Sequence, residues 1–351
     1  MQVSIIIVSF NAKYYLHLCL ESCLKAIKAI DAEIIVVDNN SIENVVSELS
    51  PLFPTVKFYE LNENLGFAKA NNYGVARAKG EYILILNPDT IIPEHLFSEL
   101  ISFYSSINNV GIVGPKLIDA NGNFHPESKR NLPTPCNSFF KLFSKRNSFQ
   151  KNYYDTNVGE SEIAPVDILV GAFMFLKRSI YKDIGGFDPR YFMYGEDIDL
   201  SYTSKLRGFT NYYKGDLTVL HYKGESTKRD KRYFKIFFKA MDLFVTKYYK
   251  EKRFQLLLMK LGIQIKYLSS ILRYNSNQTK IPAEINKNEL YWLDRSLELV
   301  NVTEKHIVLS TLHFSFQEIL EIIAQNNSSQ KNFYIHSSLS EKIIGNNGFI
   351  L

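Results

Sequence analysis

Two hydrophobic periods alternate over the first hundred residues. Val3-Ser4-Ile5-Ile6-Ile7-Val8 is an almost continuous apolar run, as expected of a strand covered on both faces. Tyr14 to Ile30 has helical spacing, and Glu33 to Val37 and Val56 to Tyr59 predict two more strands. Phe67 to Ala78 predicts a helix with Gly80 as its stop signal. Glu81 to Leu86 predicts a fourth strand, Pro93 opens a helix reaching Tyr104, and Val110 to Val113 predicts a fifth strand. This β-α-β-α order predicts an α/β fold with a mostly parallel, doubly wound, Rossmann-like sheet. Ligands of such sheets bind beyond the carboxyl ends of the strands. Those ends carry Ser9-Phe10-Asn11, Asp38-Asn39-Asn40-Ser41 and Asn87-Pro88-Asp89, so polar residues gather where the architecture puts a site.

The pattern then changes. Asp119 to Pro165 is rich in Asn, Ser, Lys and Pro and predicts a long, mobile excursion. Val166 to Leu176 returns to strand character, broken at Gly171. Gly185-Gly186 marks a turn, Glu196 to Leu206 a helix ended by Gly208, and Thr218 to His221 a last strand. From Lys228 to Arg273 the chain is basic, aromatic and helical. There Lys235, Lys239, Asp242, Thr246 and Lys250 form one narrow polar stripe. Phe254, Leu257, Leu258, Leu261, Ile265, Leu268 and Leu272 form an apolar stripe at helical spacing. Asn275 to Lys280 reads as a linker. Beyond it the pattern predicts a helix near Leu290, a strand at His306–Leu309, a helix at Phe316–Ala324 and a strand at Asn332–Ile335. The expected organisation is a catalytic domain over 1–227, a basic amphipathic helical segment over 228–275 and a small α/β appendage over 276–351.

Composition adds bounds. A chain of 351 residues accommodates one large α/β domain plus an appendage. The net charge of +5 is too small to argue for nucleic acid, and none is expected as a partner. Its distribution matters more, because Lys and Arg crowd the stretch after Lys223. Cys19, Cys23 and Cys136 do not suggest a disulfide framework; the first two lie one helical turn apart, as reduced core residues would. A reducing cytoplasm fits. Met1 leads directly into an apolar strand without the pattern of an export signal, and no clean run of about 18 apolar residues marks a membrane span.

Five residues at four sites could carry chemistry. Asp38 could accept hydrogen bonds from a base or a ribose hydroxyl, or could cap a helix beside Asn39, Asn40 and Ser41. Asp89 follows the apolar run Tyr82–Leu86; it could hold Mg2+ or Mn2+ on a diphosphate, or be a turn residue after Pro88. Glu196 and Asp197 open a helix, where acidic residues are favoured by the dipole alone. The preceding Phe187–Tyr194 stretch is dense with aromatics, which would desolvate a carboxylate and make it a better base. Asp199 falls on a different helix face and reads as structural. His221 could be a metal ligand or diphosphate contact, or a satisfied polar residue at a strand end. Together these carboxylates suggest an enzyme that moves a sugar from a nucleotide. No Gly-rich dinucleotide fingerprint follows the first strand, and no phosphate-binding Gly-Lys-Ser/Thr loop, zinc spacing or Gly-x-Ser-x-Gly elbow occurs.

From Val3 to Thr227 the chain resembles the family 2 glycosyltransferases, and within them the bacterial rhamnosyltransferase-like branch. The resemblance rests on Val-Ser-Phe-Asn at 8–11, Val-Asp-Asn-Asn-Ser at 37–41, and Asn-Leu-Gly-Phe-Ala at 64–68 with Asn71, Asn72 and Gly74. It continues through Leu-Asn-Pro-Asp-Thr at 86–90, Gly-Ala at 171–172 and Gly-Gly-Phe-Asp at 185–188. Tyr-Gly-Glu-Asp-Ile-Asp-Leu at 194–200 and His221 with Gly224 and Ser226 complete it, in the family's order and spacing.

The resemblance implies a GT-A fold and inversion at the anomeric carbon. Asp38 would contact the nucleotide base with Ser9 and Asn11 nearby, and Asn64, Gly66 and Asn87 would join the donor site. Asp89 would be the metal-binding carboxylate of the family's Asp-x-Asp element, with His221 as a second ligand for Mg2+ or Mn2+. Asp197 would deprotonate the acceptor hydroxyl with Glu196 beside it, and Gly171 and Ala172 would let backbone approach donor or acceptor. Asn87 departs from the pattern by occupying the first Asp-x-Asp position, which implies modest metal affinity. The expected donor is dTDP-rhamnose or a UDP-sugar, and the acceptor a glycan or lipid-linked glycan in cell-surface polysaccharide synthesis such as O-antigen. The basic helices of 228–275 would suit peripheral contact with the inner face of the cell membrane; a helical hairpin packed on the catalytic domain is the plainer reading. The rival function is a non-catalytic GT-A module that binds nucleotide or glycan.

Overall fold

The computed structural model describes residues 1–132, 153–222, 231–274, 287–295, 302–327 and 331–346. Cys136, Gly224, Ser226 and the expected linker at 275–280 lie outside the described residues, as does 133–152 of the expected excursion.

Nine strands form the large sheet among the described residues. In chain order the early elements are β1 (Val3–Ser9), α1 (Lys13–Ala26), β2 (Ala32–Asp38), α2 (Val45–Leu49), β3 (Lys57–Glu60), α3 (Phe67–Val75) and β4 (Tyr82–Leu86). The apolar runs do what they predict: Ile5, Ile6, Ile7, Ile35, Val36 and Ile83–Ile85 have no exposed surface. β3, β2, β1 and β4 lie side by side and parallel, in that order. Their registers bring Ser9 beside Asp38 and Ile7 beside Leu86, so the polar strand ends share one edge. Cys19 and Cys23 are buried free thiols on α1, and burial pushes the Cys23 thiol up.

The sheet is mostly parallel as expected, and its second half adds antiparallel pairings. The remaining strands are β5 (Thr90–Ile91), β6 (Val110–Ile118), β7 (Ile163–Val166), β8 (Phe173–Lys177) and β9 (Thr210–His221), with α4 (Leu96–Ser106), α5 (Arg178–Asp183) and α6 (Glu196–Leu206) between them. β8 inserts between β4 and β6 antiparallel to both, β6 and β9 run parallel, and β5 and β7 pair antiparallel with β9. The predicted strand at Val166–Leu176 is therefore two strands, with Gly171 in the turn between them. Apolar periodicity reports burial and not strand direction, which is why the insertion is invisible in it. The described parts of the 119–165 excursion are anchored to the sheet: isolated bridges join Ile118 to Phe124 and Arg130 to both Tyr154 and Ile168.

Two helices follow, α7 (Lys231–Tyr249) and α8 (Arg253–Arg273), packed on each other through Phe238, Val245, Met259 and Ile263. α7 is fastened to α6: Lys247 Nζ lies 2.9 Å from Asp188 and 2.8 Å from Asp199. The appendage comprises β10 (Leu290–Trp292), β11 (His306–Ser310), α9 (Phe316–Gln325), β12 (Asn332–His336) and β13 (Ile343–Ile344) in one four-stranded sheet. The helix predicted near Leu290 is instead a short 3-10 turn at Lys287–Glu289 leading into β10, a segment too short to show a period. α9 opens with a reciprocal capping box between Ser315 and Glu318. The appendage packs on the large domain, since Tyr15, Leu18, Ile91, Leu220 and Tyr222 share one core with Ile307, Phe316 and Phe333. Among the described residues no helix is long and apolar enough to cross a membrane.

Candidate active site

The edge where β1, β2 and β4 end holds the first group of expected residues. Asp38 is buried, and both its oxygens are used by Ser41, whose hydroxyl donates at 2.6 Å and whose N–H donates at 3.0 Å. Asn11 has a left-handed backbone (φ 51°); its N–H donates to Ser41 Oγ and its Oδ1 accepts from Ile42 N–H. The loop is thus ordered by its own polar groups. Ser9 Oγ, by contrast, is buried with no hydrogen-bond partner. Asn64 Oδ1 accepts from Asn39 Nδ2 and from Gly66 N–H, both at 3.0 Å. Gly66 has φ 81°, and a Cβ there would stand 2.3 Å from the Phe192 carbonyl oxygen, so glycine is required by that close approach.

Beyond β4 the chain turns through Asn87 to Asp89. Thr90 in β5 pairs with His221 in β9, and Tyr222 N–H donates to the Asp89 carbonyl, which fixes Asp89 and His221 side by side. His221 Nε2 lies 3.2 Å from Asp89 Oδ1 and 3.5 Å from Asn87 Nδ2. Yet Asp89 Oδ1 makes no hydrogen bond and is buried. A carboxylate oxygen and an imidazole nitrogen facing each other without satisfying one another suit a shared cation. No third His, Cys, Asp or Glu completes a metal cluster among the described residues. The ring of His125, which the sequence pattern does not single out, packs 5.8 Å from that of His221.

The second carboxylate pair arrives from α6. Tyr194 (φ 69°) and Gly195 (φ 78°) are both left-handed, which turns the chain sharply into the helix. Asp197 then receives three donors: Arg130 Nη2 at 2.6 Å and Gly171 N–H at 3.1 Å on Oδ2, and Ile198 N–H at 2.8 Å on Oδ1. Gly171 closely faces Asp197: a Cβ there would meet Asp197 Cβ at 3.3 Å. The next residue, Ala172, accepts from Asn87 N–H at 2.9 Å. The path Asn87–Ala172–Gly171–Asp197 therefore joins the Asp89 turn to Asp197 by two hydrogen bonds, and both carboxylates belong to one locality. Each keeps a sliver of surface, 6% for Asp89 and 8% for Asp197.

Glu196 is buried with Oε2 unpartnered. Loss of solvent, reinforced by the neighbouring Asp197 charge, pushes its carboxyl up to about 8. Asp199 is structural, as its helix face predicts: it accepts from Lys247 and from Tyr248 Oη at 2.8 Å, and burial raises its carboxyl. Arg130 was not legible as a site residue. It sits in the loop after β6, with its guanidinium held by Leu169 O, Tyr153 Oη and Asp197. Burial opposes its charge, but the Asp197 carboxylate and Tyr153 outweigh that and hold the guanidinium firmly protonated. The Ser128-Lys129-Arg130 stretch carries no period and no motif that names a partner 67 residues away.

The family model described as Glycosyl transferase family 2 matches residues 4–185. The chain belongs to glycosyl transferase family 2. It is 29% identical over 212 residues to the N-acetylglucosaminyl-diphospho-decaprenol L-rhamnosyltransferase of Mycobacterium tuberculosis, covering 56% of this chain and 68% of that protein. It is 31% identical over 170 residues to rhamnosyltransferase WbbL of Escherichia coli K12, covering 45% of this chain and 61% of that one. Among solved structures it is similar to GalNAc-T7 with UDP, GalNAc and Mn2+, with a TM-score of 0.51 and 16% identity over 78% of this chain and 54% of that chain. The last likeness shows the fold, GT-A. This family 2 enzyme is thus a glycosyltransferase with relatives named as rhamnosyltransferases.

Proposed function

We propose that this family 2 glycosyltransferase inverts the anomeric carbon as it moves a sugar, rhamnose favoured, from a nucleotide-diphospho-sugar to a glycan or lipid-linked acceptor. The observation that carries the reading is the hydrogen-bonded path from the Asp89 turn to Asp197. The relatives named for rhamnosyl transfer favour dTDP-rhamnose, and a UDP-sugar is the alternative donor. The mycobacterial relative's name includes a decaprenol-linked substrate, which favours a lipid-linked acceptor at the inner, cytoplasmic face of the membrane.

Asp197 accepts the proton of the acceptor hydroxyl as its oxygen attacks the anomeric carbon and the bond to the diphosphate breaks. Asp197 Oδ1 accepts from one N–H and keeps a lone pair for that proton. Arg130 and Gly171 fix the carboxylate by the other oxygen. Ser9, Asn11, Asp38, Asn64, Gly66 and Asn87 border the donor side, and Ala172 supports the turn. Asp89 and His221 would hold Mg2+ or Mn2+, which when bound neutralises the departing diphosphate.

A panel of dTDP-rhamnose and UDP-sugars, with and without Mn2+, tests the reading by donor-dependent thermal shift and by transfer to a lipid-linked acceptor. Asp197→Asn is expected to lower turnover by about 10²–10⁴-fold while nucleotide binding stays. Equal loss of both would remove Asp197 from the role of base. No transfer or hydrolysis from any nucleotide-sugar would overturn the function.

A further inference from the structure

α8 uses one face to hold α7 and leaves another uncovered. Met259, Gly262 and Ile263 are buried toward α7. Phe254, Leu257, Leu261, Ile265, Leu268 and Leu272 are between 51% and 86% exposed, with half-exposed Leu258 among them. Their spacing makes one continuous apolar stripe along a helix of 21 residues. Scattered exposed leucines need no explanation, but a contiguous stripe of this length marks an interaction surface.

Charge chooses the occupant. Residues 231–274 carry eleven Lys and Arg against Asp242 and Glu251, a net of +9, more than the +5 of the whole chain. Lys235, Lys239, Lys252, Arg253 and Arg273 are exposed on this hairpin. A second copy of the same hairpin would also fit the stripe, since Phe254, Leu258, Leu261, Ile265, Leu268 and Leu272 alternate steps of four and three as in a coiled-coil seam. Such pairing would bring two strongly cationic hairpins together, and no acidic residue lies between Phe254 and Tyr274 to offset the charge. An anionic lipid surface accepts both the apolar stripe and the basic flanks.

We propose that the α7–α8 hairpin docks the enzyme on an anionic lipid bilayer through the exposed stripe of α8. The hairpin is built to transmit that orientation to the site. Lys247 and Tyr248 of α7 are bonded to Asp199 of α6. A Cβ on Gly195 would meet Ala240 of α7 at 3.5 Å, so α7 lies against the residue that precedes Glu196 and Asp197. Docking then fixes the distance at which a lipid-borne acceptor must present its hydroxyl.

Co-sedimentation of the full chain with vesicles tests this. The wild type is expected to bind phosphatidylglycerol/phosphatidylcholine vesicles at least about tenfold more tightly than phosphatidylcholine alone, and less so at high salt. Leu261→Gln/Ile265→Gln/Leu268→Gln is expected to lose at least about tenfold in binding with an unchanged melting temperature, because the replaced side chains face solvent and Gln retains helix propensity. Lys235→Gln/Lys239→Gln provides an independent variant, expected to weaken binding to the anionic vesicles alone. Wild type that ignores both vesicles, or a triple variant that binds like wild type, overturns the proposal. So does a wild-type dimer in sedimentation velocity that the triple variant dissolves, which would assign the stripe to a second copy. The readout does not involve sugar transfer, so a chain that binds vesicles but transfers nothing would fail only the function proposed above.

Discussion

Arg130 Nη2 lies 2.6 Å from Asp197 Oδ2, with both side chains nearly buried. The carboxylate assigned as base is thereby oriented by a residue from a loop that the sequence pattern leaves featureless. A buried pair of this kind fixes geometry more surely than it adds stability, and removing one partner strands the other charge. Arg130→Ala is expected to cost about 3–5 kcal/mol of stability, read from urea unfolding. Arg130→Lys keeps the charge but loses the planar fork that also reaches Leu169 O and Tyr153 Oη. It is expected to fold and to lose about 10²-fold in kcat through misplacement of Asp197, with nucleotide affinity unchanged. A Lys variant with wild-type kcat would show that Arg130 is only structural.

Asp89 and His221 are expected to act as one unit. Since even outer partners of a metal ligand are worth about 10–100-fold in affinity, losing a ligand should cost at least tenfold. Asp89→Asn and His221→Ala should each raise the Kd of a nucleoside diphosphate in Mn2+ by that factor. Both should leave the weaker, metal-free binding in EDTA alone. Isothermal titration in the two buffers separates these, and a variant that retains its full response to Mn2+ would exclude its residue as a ligand.

What was legible here was mainly where the apolar runs stop. Short continuous apolar runs at Val3–Val8 and Tyr82–Leu86 have the length of covered strands, which puts Ser9 and the Asn87–Asp89 turn at strand ends. The helix start at Glu196 was equally plain from composition. The antiparallel insertion of β8 was not, because burial on both faces looks the same in either direction. Arg130 and His125 were not, because their positions come from loop backbone and contacts across the chain. The stripe on α8 was legible as a pattern, but only packing shows that it points away from α7.

Glu196 predicts a pH dependence. Its carboxyl is raised to about 8 in the folded protein, chiefly by burial and then by Asp197, against about 4.3 for a free glutamate. Between those values the native state holds a proton that the unfolded chain has released. Stability from this group is therefore full below about pH 4.3 and is lost as pH rises toward 8. Urea midpoints from pH 5 to 8 should fall more steeply for wild type than for Glu196→Gln, which stays neutral throughout. Parallel pH profiles for the two proteins would mean that Glu196 is ionised in the folded state.

The appendage is expected to support Asp89 and His221 from behind. Glu21 of α1 is buried and accepts from Thr311 Oγ1 at 2.7 Å, Ser337 Oγ at 2.6 Å and Ser338 Oγ at 3.2 Å, at the carboxyl ends of β11 and β12. The same contact surface holds Tyr222, the neighbour of His221, whose hydroxyl donates to Ile344 O at 3.4 Å. Glu21→Ala removes the acceptor these hydroxyls share, while Thr311 Oγ1 keeps Ser338 Oγ at 3.0 Å and Ser337 Oγ keeps His17 Nε2 at 3.2 Å, so urea stability should fall by about 1–3 kcal/mol. Because Tyr222 N–H also holds the Asp89 carbonyl, loosening the appendage should weaken Mn2+-dependent nucleotide binding as well. Glu304→Ala removes an exposed acid from the same appendage and should change neither. If Glu21→Ala destabilises the chain yet leaves metal-dependent binding intact, the appendage contributes to folding without positioning Asp89 and His221.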